Sequence, residues 1–149
     1  MSIFRAPSFR LMTIGLAVLR VITGVVFAAH GYQKLFTMGV AGVTGGFTKM
    51  GVPLASIVAP GVSILEFAGG IALVAGLLSR PVAALLAVDM FGAIALVHFK
   101  NGFYLPGGYE FVLLLAAASI AIALAGGGSA SIDNLLADRD RTANNARMS

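Results

Sequence analysis

The stretch Leu11–Phe36, LMTIGLAVLRVITGVVFAAHGYQKLF, decides the fold. It runs without a proline and exceeds the roughly 20 apolar residues that a helix needs to cross a bilayer. It also carries Arg20 near its middle and His30 and Lys34 near its far end. A cation at such depth costs about 3 kcal/mol or more, so it normally faces a bundle interior or a wet cavity. At about 100° per residue, Arg20, Gly24, Phe27, Gly31 and Lys34 form one stripe, with Thr23 and His30 beside it. A stripe of that kind has to meet other helices.

The rest of the chain can supply them. Of its 149 residues, 58% are hydrophobic and only 11% are charged, and the mean hydropathy is +0.95. A soluble domain carries about 25% charged residues, so the composition is that of an all-α integral membrane protein. Further apolar runs lie at about 56–78, 81–98 and 109–125. Together with 11–36 they predict a four-transmembrane-helix up-down bundle over residues 1–128, followed by a polar cytoplasmic tail over 129–149. The turns fall at Ser79-Arg80-Pro81, Asn101-Gly102 and Pro106-Gly107. Residues 37–55 read as a Gly-rich loop on the membrane surface, with a turn of helix near Phe47–Met50. In the tail, one or two helical turns are expected over 131–137 and no structure beyond them.

Several chemistries are excluded or left without a signature. The chain has no cysteine, which removes disulfides, thiolate metal sites and Fe–S ligation. The net charge of +4 is scattered around apolar runs, without the basic, aromatic-interleaved cluster that a nucleic-acid partner requires. The histidines and carboxylates follow no metal motif such as H-E-x-x-H, so no metal site is predicted. A cleaved leader is disfavoured because Arg20 interrupts the apolar core. Arg5, Arg10, Arg80, Arg139, Arg141 and Arg147 fall on one side of a four-span bundle, and Lys34, Lys49 and Lys100 on the other. That asymmetry predicts both termini inside.

Depth sorts the remaining charges into two layers. With 1.5 Å of rise per residue, Arg20 lies roughly 13–14 Å from the inner end of its span, Asp89 about 12 Å and Glu66 about 18 Å. These three are expected to form a buried ion network that either holds the bundle or floors a site. Asp89 and His98 are about 180° apart on one ideal helix, so at most one of them should face squarely inward. Nearer the outer surface, His30, Lys34, His98, Asn101, Tyr109 and Glu110 are the candidate lining of an outward-facing pocket for a ligand with a polar head and an apolar body. The bland alternative is contact with lipid headgroups. The first and third spans both end outward in His and then Lys, a faint internal echo.

At this point the residues resemble a known family. An arginine inside the first span followed by AHGYQKLF resembles the opening of the DoxX family of small four-span bacterial inner-membrane proteins. GVSILEFAGGIALVAGLLSRPVAALLA, VHFKNGF, GGYEFVLLLAA and GGGSASIDNLL continue the resemblance in order over about 11–136. The family's polar positions match Arg20, His30, Lys34, Glu66, His98, Asn101, Tyr109 and Glu110, whereas Asp89 stands where an apolar residue is expected. The resemblance implies a multi-pass protein of the bacterial cytoplasmic membrane. It would act as an accessory component of a quinone-linked oxidoreductase system, with no redox centre of its own and possible use of a quinone. Its partners would be the bilayer and either another membrane protein or a second copy. The alternative is a non-catalytic structural or assembly subunit of a larger complex, since fold alone does not establish activity.

Overall fold

The computed structural model describes residues 8–148, with side-chain environments for all of these except 140 and 142–148. Arg5 lies outside the described residues, and the side chain of Arg147 is among those not described. The described residues are helical throughout their regular structure, without a strand.

Helix α1 spans Phe9–Tyr32 and starts where Ser8 accepts a hydrogen bond from the Leu11 N–H. It runs directly into a π-helical segment, Gln33–Met38, and then into α2, Gly39–Lys49. Residues 37–55 are therefore mostly helix, not the expected surface loop. Four glycines make α2 a poor helix by intrinsic propensity. Tertiary packing overrides this: α2 lies against α3 and buries Val43 to 2% exposure.

Helix α3 spans Ala55–Ala75 and α4 spans Ser79–Ala93. The latter continues through a second π-helical segment, Ile94–His98, and a short 3₁₀ turn, Phe99–Asn101. Helix α5 spans Glu110–Ala125 and α6 spans Ile132–Met148. The expectation of an unstructured tail beyond 137 is thus corrected, because α6 extends to Met148.

Helix α1 packs along α3 and α4 along α5, while α3–α4 and α1–α5 contacts close the ring. Phe27, Leu73, Leu86, Met90, Val112, Ala116 and Ile122 fill its centre. Val18, Ile22, Val25, Ile64, Leu85, Val88, Leu114 and Leu124 are exposed on its outside, as a lipid-facing surface requires. Three helical segments, Phe9–Lys49, Ala55–Ala75 and Ser79–Asn101, are long and apolar enough to cross a membrane. Glu110–Ala125 is apolar but shorter. The protein is an all-helical membrane protein.

Glycines set the register between α1 and the antiparallel α3. A Cβ on Gly31 would lie 2.2 Å from the Phe67 nitrogen, and one on Gly70 would lie 2.3 Å from the Ala28 nitrogen. Gly24 likewise faces the Gly70 carbonyl and the Val74 nitrogen. Backbones approach this closely only where side chains are absent. Gly31→Ala or Gly70→Ala should therefore force the helices apart and cost about 1–3 kcal/mol. Unfolding in detergent micelles measures this, and an unchanged midpoint for both variants would refute it.

That register removes Arg20 from the expected Arg20–Glu66–Asp89 network, of which Glu66 and Asp89 remain interacting neighbours. Carried back from Gly24, it places Arg20 beside the end of α3, far from Glu66. The Arg20 side chain is 1% exposed and donates to four backbone carbonyls. Its Nη1 reaches Leu73 and Val74 at the end of α3, its Nε reaches Gly127 at 2.8 Å, and its Nη2 reaches Ala130 at 2.5 Å. The last carbonyls of a helix lack intrahelical donors. Arg20 supplies them and ties the segment after α5 to the bundle. Gly76 makes room for this arrangement: its φ is +71°, and a Cβ there would lie 2.7 Å from Arg20 Nη1.

The same segment caps α4. The Asp133 carboxylate accepts the Leu78 and Ser79 N–H groups, each at 2.8 Å. Leu78 has φ +50°, an unfavourable conformation for a side chain with a Cβ. Partial burial pushes the Asp133 carboxyl up, but the two N–H groups and the Arg20 charge outweigh it and hold the group below its ordinary value. A depressed folded value stabilises the protein above the unfolded pKa of about 3.9 and loses that contribution as the pH falls through the folded value. Asp133→Ala should cost about 1 kcal/mol at neutral pH, as a lost cap does. Unfolding measured from neutral pH downward should show the gap to wild type narrowing below about pH 4. A gap that stays constant would show that the charge plays no part.

Candidate functional site

The two π-helical segments flank one cavity. Wider helical turns of this kind recur at functional sites because they re-aim side chains without breaking the helix. Here the first carries Lys34 and the second ends at His98. Glu66 from α3 and Asp89 from α4 complete the polar lining of a space of about 280 Å³. Phe47, Met50 and Val52 from α2 and its following loop, with Val58, Val62, Leu96 and Val97, form its apolar wall.

The register that separates Arg20 from Glu66 also explains what Glu66 meets. One turn beyond the Gly31–Phe67 contact, Lys34 stands opposite Glu66. Lys34 Nζ donates to Glu66 Oε2 at 2.5 Å, with side-chain exposures of 21% and 4%. The flexible lysine stem brings its charge to the acid. Asp89 is subject to the charges of Glu66 and Lys34, and its Oδ2 is buried without a hydrogen-bond partner among the described residues. His98 Nδ1 lies 3.1 Å from the Gly107 carbonyl. A carbonyl only accepts, so Nδ1 carries the proton.

Asp89 and His98 therefore line the same cavity, against the expectation that an ideal helix would set them on opposite faces. In a π segment each residue turns less than 100°, so Ile94–His98 rotates the histidine back toward the face that holds Asp89. The other outer residues are placed elsewhere. His30 is exposed, bonds the Val26 carbonyl at 2.9 Å and has its ring 6.1 Å from that of Phe111. Asn101 donates to Gly107, and Glu110 accepts the Leu105 N–H at 2.8 Å. Tyr109 stacks on Phe99 and meets Phe103 edge-on. These three order the loop between α4 and α5, which holds Gly107 against His98. Phe47 and Met50, read from the sequence as part of a surface turn, form part of the cavity wall. Their signal in the sequence is an apolar pair three residues apart in an otherwise Gly- and Thr-rich stretch.

Among the described residues, no three His, Asp or Glu side chains are grouped closely enough to hold a metal ion. What the arrangement can do is hold a small polar head by hydrogen bonds while leaving an apolar body among aliphatic side chains.

A bundle of apolar helices around a charged cavity defines a helical membrane protein with a polar cavity among its helices. The chain belongs to the DoxX family, whose family model matches residues 15–99. That match contains Lys34, Glu66, Asp89 and His98 and leaves α5 outside. The chain is similar to "Putative oxidoreductase CatD" of Bacillus subtilis (strain 168), 38% identical over 120 residues, covering 80% of this chain and 85% of that protein. It is also similar to the inner membrane protein YqjF of Escherichia coli (strain K12), 30% identical over 139 residues, covering 85% of this chain and 95% of that protein. An uncharacterized protein of Haemophilus influenzae is 29% identical over 123 residues, covering 80% and 88% of the two chains. No solved structure matches the chain at a significant level.

Proposed function

We propose that this protein is an accessory component of a quinone-linked oxidoreductase system and that its cavity receives the head of the carrier. The observation that carries this reading is the Lys34–Glu66 ion pair beside Asp89 and His98 in an otherwise apolar cavity. Ligand sites typically combine apolar walls with a few convergent polar groups and occupy about 300–1,000 Å³. A space of about 280 Å³ suits a head alone, with the apolar body left in the bilayer. Lys34, Asp89 and His98 would hold the ring oxygens, and Glu66 would fix Lys34. A bound quinone would supply two-electron, two-proton chemistry, so electrons would come from a partner protein or a small reductant. The name carried by the Bacillus relative supports the oxidoreductase association.

In this reading α5, about 24 Å long at 1.5 Å per residue, makes the fourth crossing, both termini lie inside, and the cavity opens toward the outer leaflet of the bacterial cytoplasmic membrane. Short-tailed quinones and the matching quinols, titrated anaerobically into protein-containing nanodiscs against protein-free nanodiscs, test it. Lys34→Ala should weaken binding of either form about tenfold and His98→Ala that of the quinol, the size of one charge-assisted or buried hydrogen bond, while His30→Ala should leave both unchanged. No binding above the protein-free control would sink the proposal. A larger complex that co-purifies with a non-binding chain would support the structural-subunit alternative instead.

A further inference from the structure

We infer that the cavity takes its ligand through a hydroxyl donor, so that a quinone-class carrier binds there in its reduced, hydroxyl-bearing form in preference to its carbonyl form. This rests on the reading of the cavity given above and specifies which form of the ligand fits it. The reason lies in which hydrogen-bonding atoms of the cavity lack a partner. Asp89 Oδ2 is buried and has no hydrogen-bond partner among the described residues. When the carboxyl is ionised, that oxygen can only accept. When a proton is held between the interacting carboxyls of Asp89 and Glu66, the oxygen turned away from that contact still accepts.

His98 adds a second acceptor. Its Nδ1 is committed as a donor to the Gly107 carbonyl, which leaves Nε2 of the neutral ring able only to accept. Lys34 has N–H groups beyond the one given to Glu66, but these serve a carbonyl oxygen and a hydroxyl oxygen alike. The atoms that tell the two ligand forms apart are thus acceptors, and only a hydroxyl satisfies them. Asp89 lines the cavity, so a carbonyl set against its carboxylate leaves an acceptor unpaired, and sites built around an O–H reject analogues that lack it. Asp89 is then a ligand-binding and specificity-determining residue of this chain, at a position where the family resemblance implies an apolar side chain.

The test separates this inference from the quinone reading by using simple ligands first. A para-alkylphenol and the matching alkyl methyl ether are titrated into nanodiscs with and without the protein and followed by ligand-observed NMR. The phenol should bind about tenfold or more tightly than the ether. Asp89→Leu should erase most of that preference, and the near-isosteric Asp89→Asn, whose amide can turn a donor or an acceptor to the ligand, should reduce it. Equal binding of phenol and ether, tighter binding of the ether, or binding of neither overturns the inference, and the wild-type comparison decides even if both variants fail to fold. A quinone and its quinol are then compared in the same way under anaerobic conditions. A phenol preference without quinone or quinol binding would refute the carrier and keep the hydroxyl-donor site. Quinone binding without a hydroxyl preference would do the reverse.

Discussion

Replacing Arg20 by methionine is expected to cost about 3–5 kcal/mol of unfolding free energy, the largest single-residue effect in this protein. The guanidinium donates to carbonyls of Leu73, Val74, Gly127 and Ala130. Methionine fills much of the same space but leaves the Val74, Gly127 and Ala130 carbonyls without this donor, while Leu73 keeps the Gly76 N–H, and each unsatisfied buried group costs about 1–3 kcal/mol. Some would recover partners by local relaxation, which keeps the total below the simple sum. Arg20→Lys should fall between wild type and Arg20→Met, because an ammonium is a point donor and cannot span carbonyls from two separate segments as the planar fork does. Unfolding in micelles measures the loss. Limited trypsin digestion supplies a second readout, since release of the segment after α5 should speed cleavage at Arg139, which is exposed. An Arg20→Met protein with wild-type stability and wild-type cleavage would show that the four contacts contribute nothing.

Breaking the Lys34–Glu66 pair should give the next largest effect, and the way it can be repaired separates structure from function. Lys34→Met leaves Glu66, whose side chain is only 4% exposed, without its cation. Removing one partner of a buried ion pair costs about 3–5 kcal/mol, whereas replacing both by apolar residues of similar size is often neutral or stabilising. The double variant Lys34→Met/Glu66→Leu should therefore recover most of the stability lost in Lys34→Met. It should not recover ligand binding, because the donor to the ring oxygen is gone. Paired measurements of unfolding and of nanodisc binding on the three proteins test both statements. A double variant as unstable as the single one would show that the pair is not set against a desolvation cost. A double variant that binds normally would remove Lys34 from the site.

Both expectations follow from the register of α1 on α3, and that register could not be read from span ends. Depth counted from the ends of apolar runs brings Arg20 and Glu66 to similar levels. The start of α1 and the end of α3 are not level, however, since Arg20 already stands beside Leu73 and Val74. Gly24, Gly31 and Gly70 lock the two backbones where Gly31 faces Phe67 and Gly70 faces Ala28. A shift of a few turns along an antiparallel pair exchanges one cation for another, so Glu66 meets Lys34 and Arg20 meets the end of α3. Similarly, Asp89 and His98 share a cavity only because the helix widens over Ile94–His98. An ideal 100° periodicity excludes that outcome, and no residue in IALVH announces the wider turn.

Other features were legible from composition and pattern alone. Low charge and long apolar runs required helices in a membrane, because the bilayer interior leaves no other partner for backbone polar groups. The stripe Arg20, Gly24, Phe27, Gly31 on α1 is buried as its periodicity requires, and the order of motifs pointed to the family. Glu66 and Lys34 were visible as charges that had to be satisfied somewhere. What the tertiary structure alone decided is who satisfies whom. Burial is a property of one helix face and follows from local sequence, but pairing depends on register, helix widening and the fold-back of α2. Those are set by backbone contacts between residues far apart in the chain.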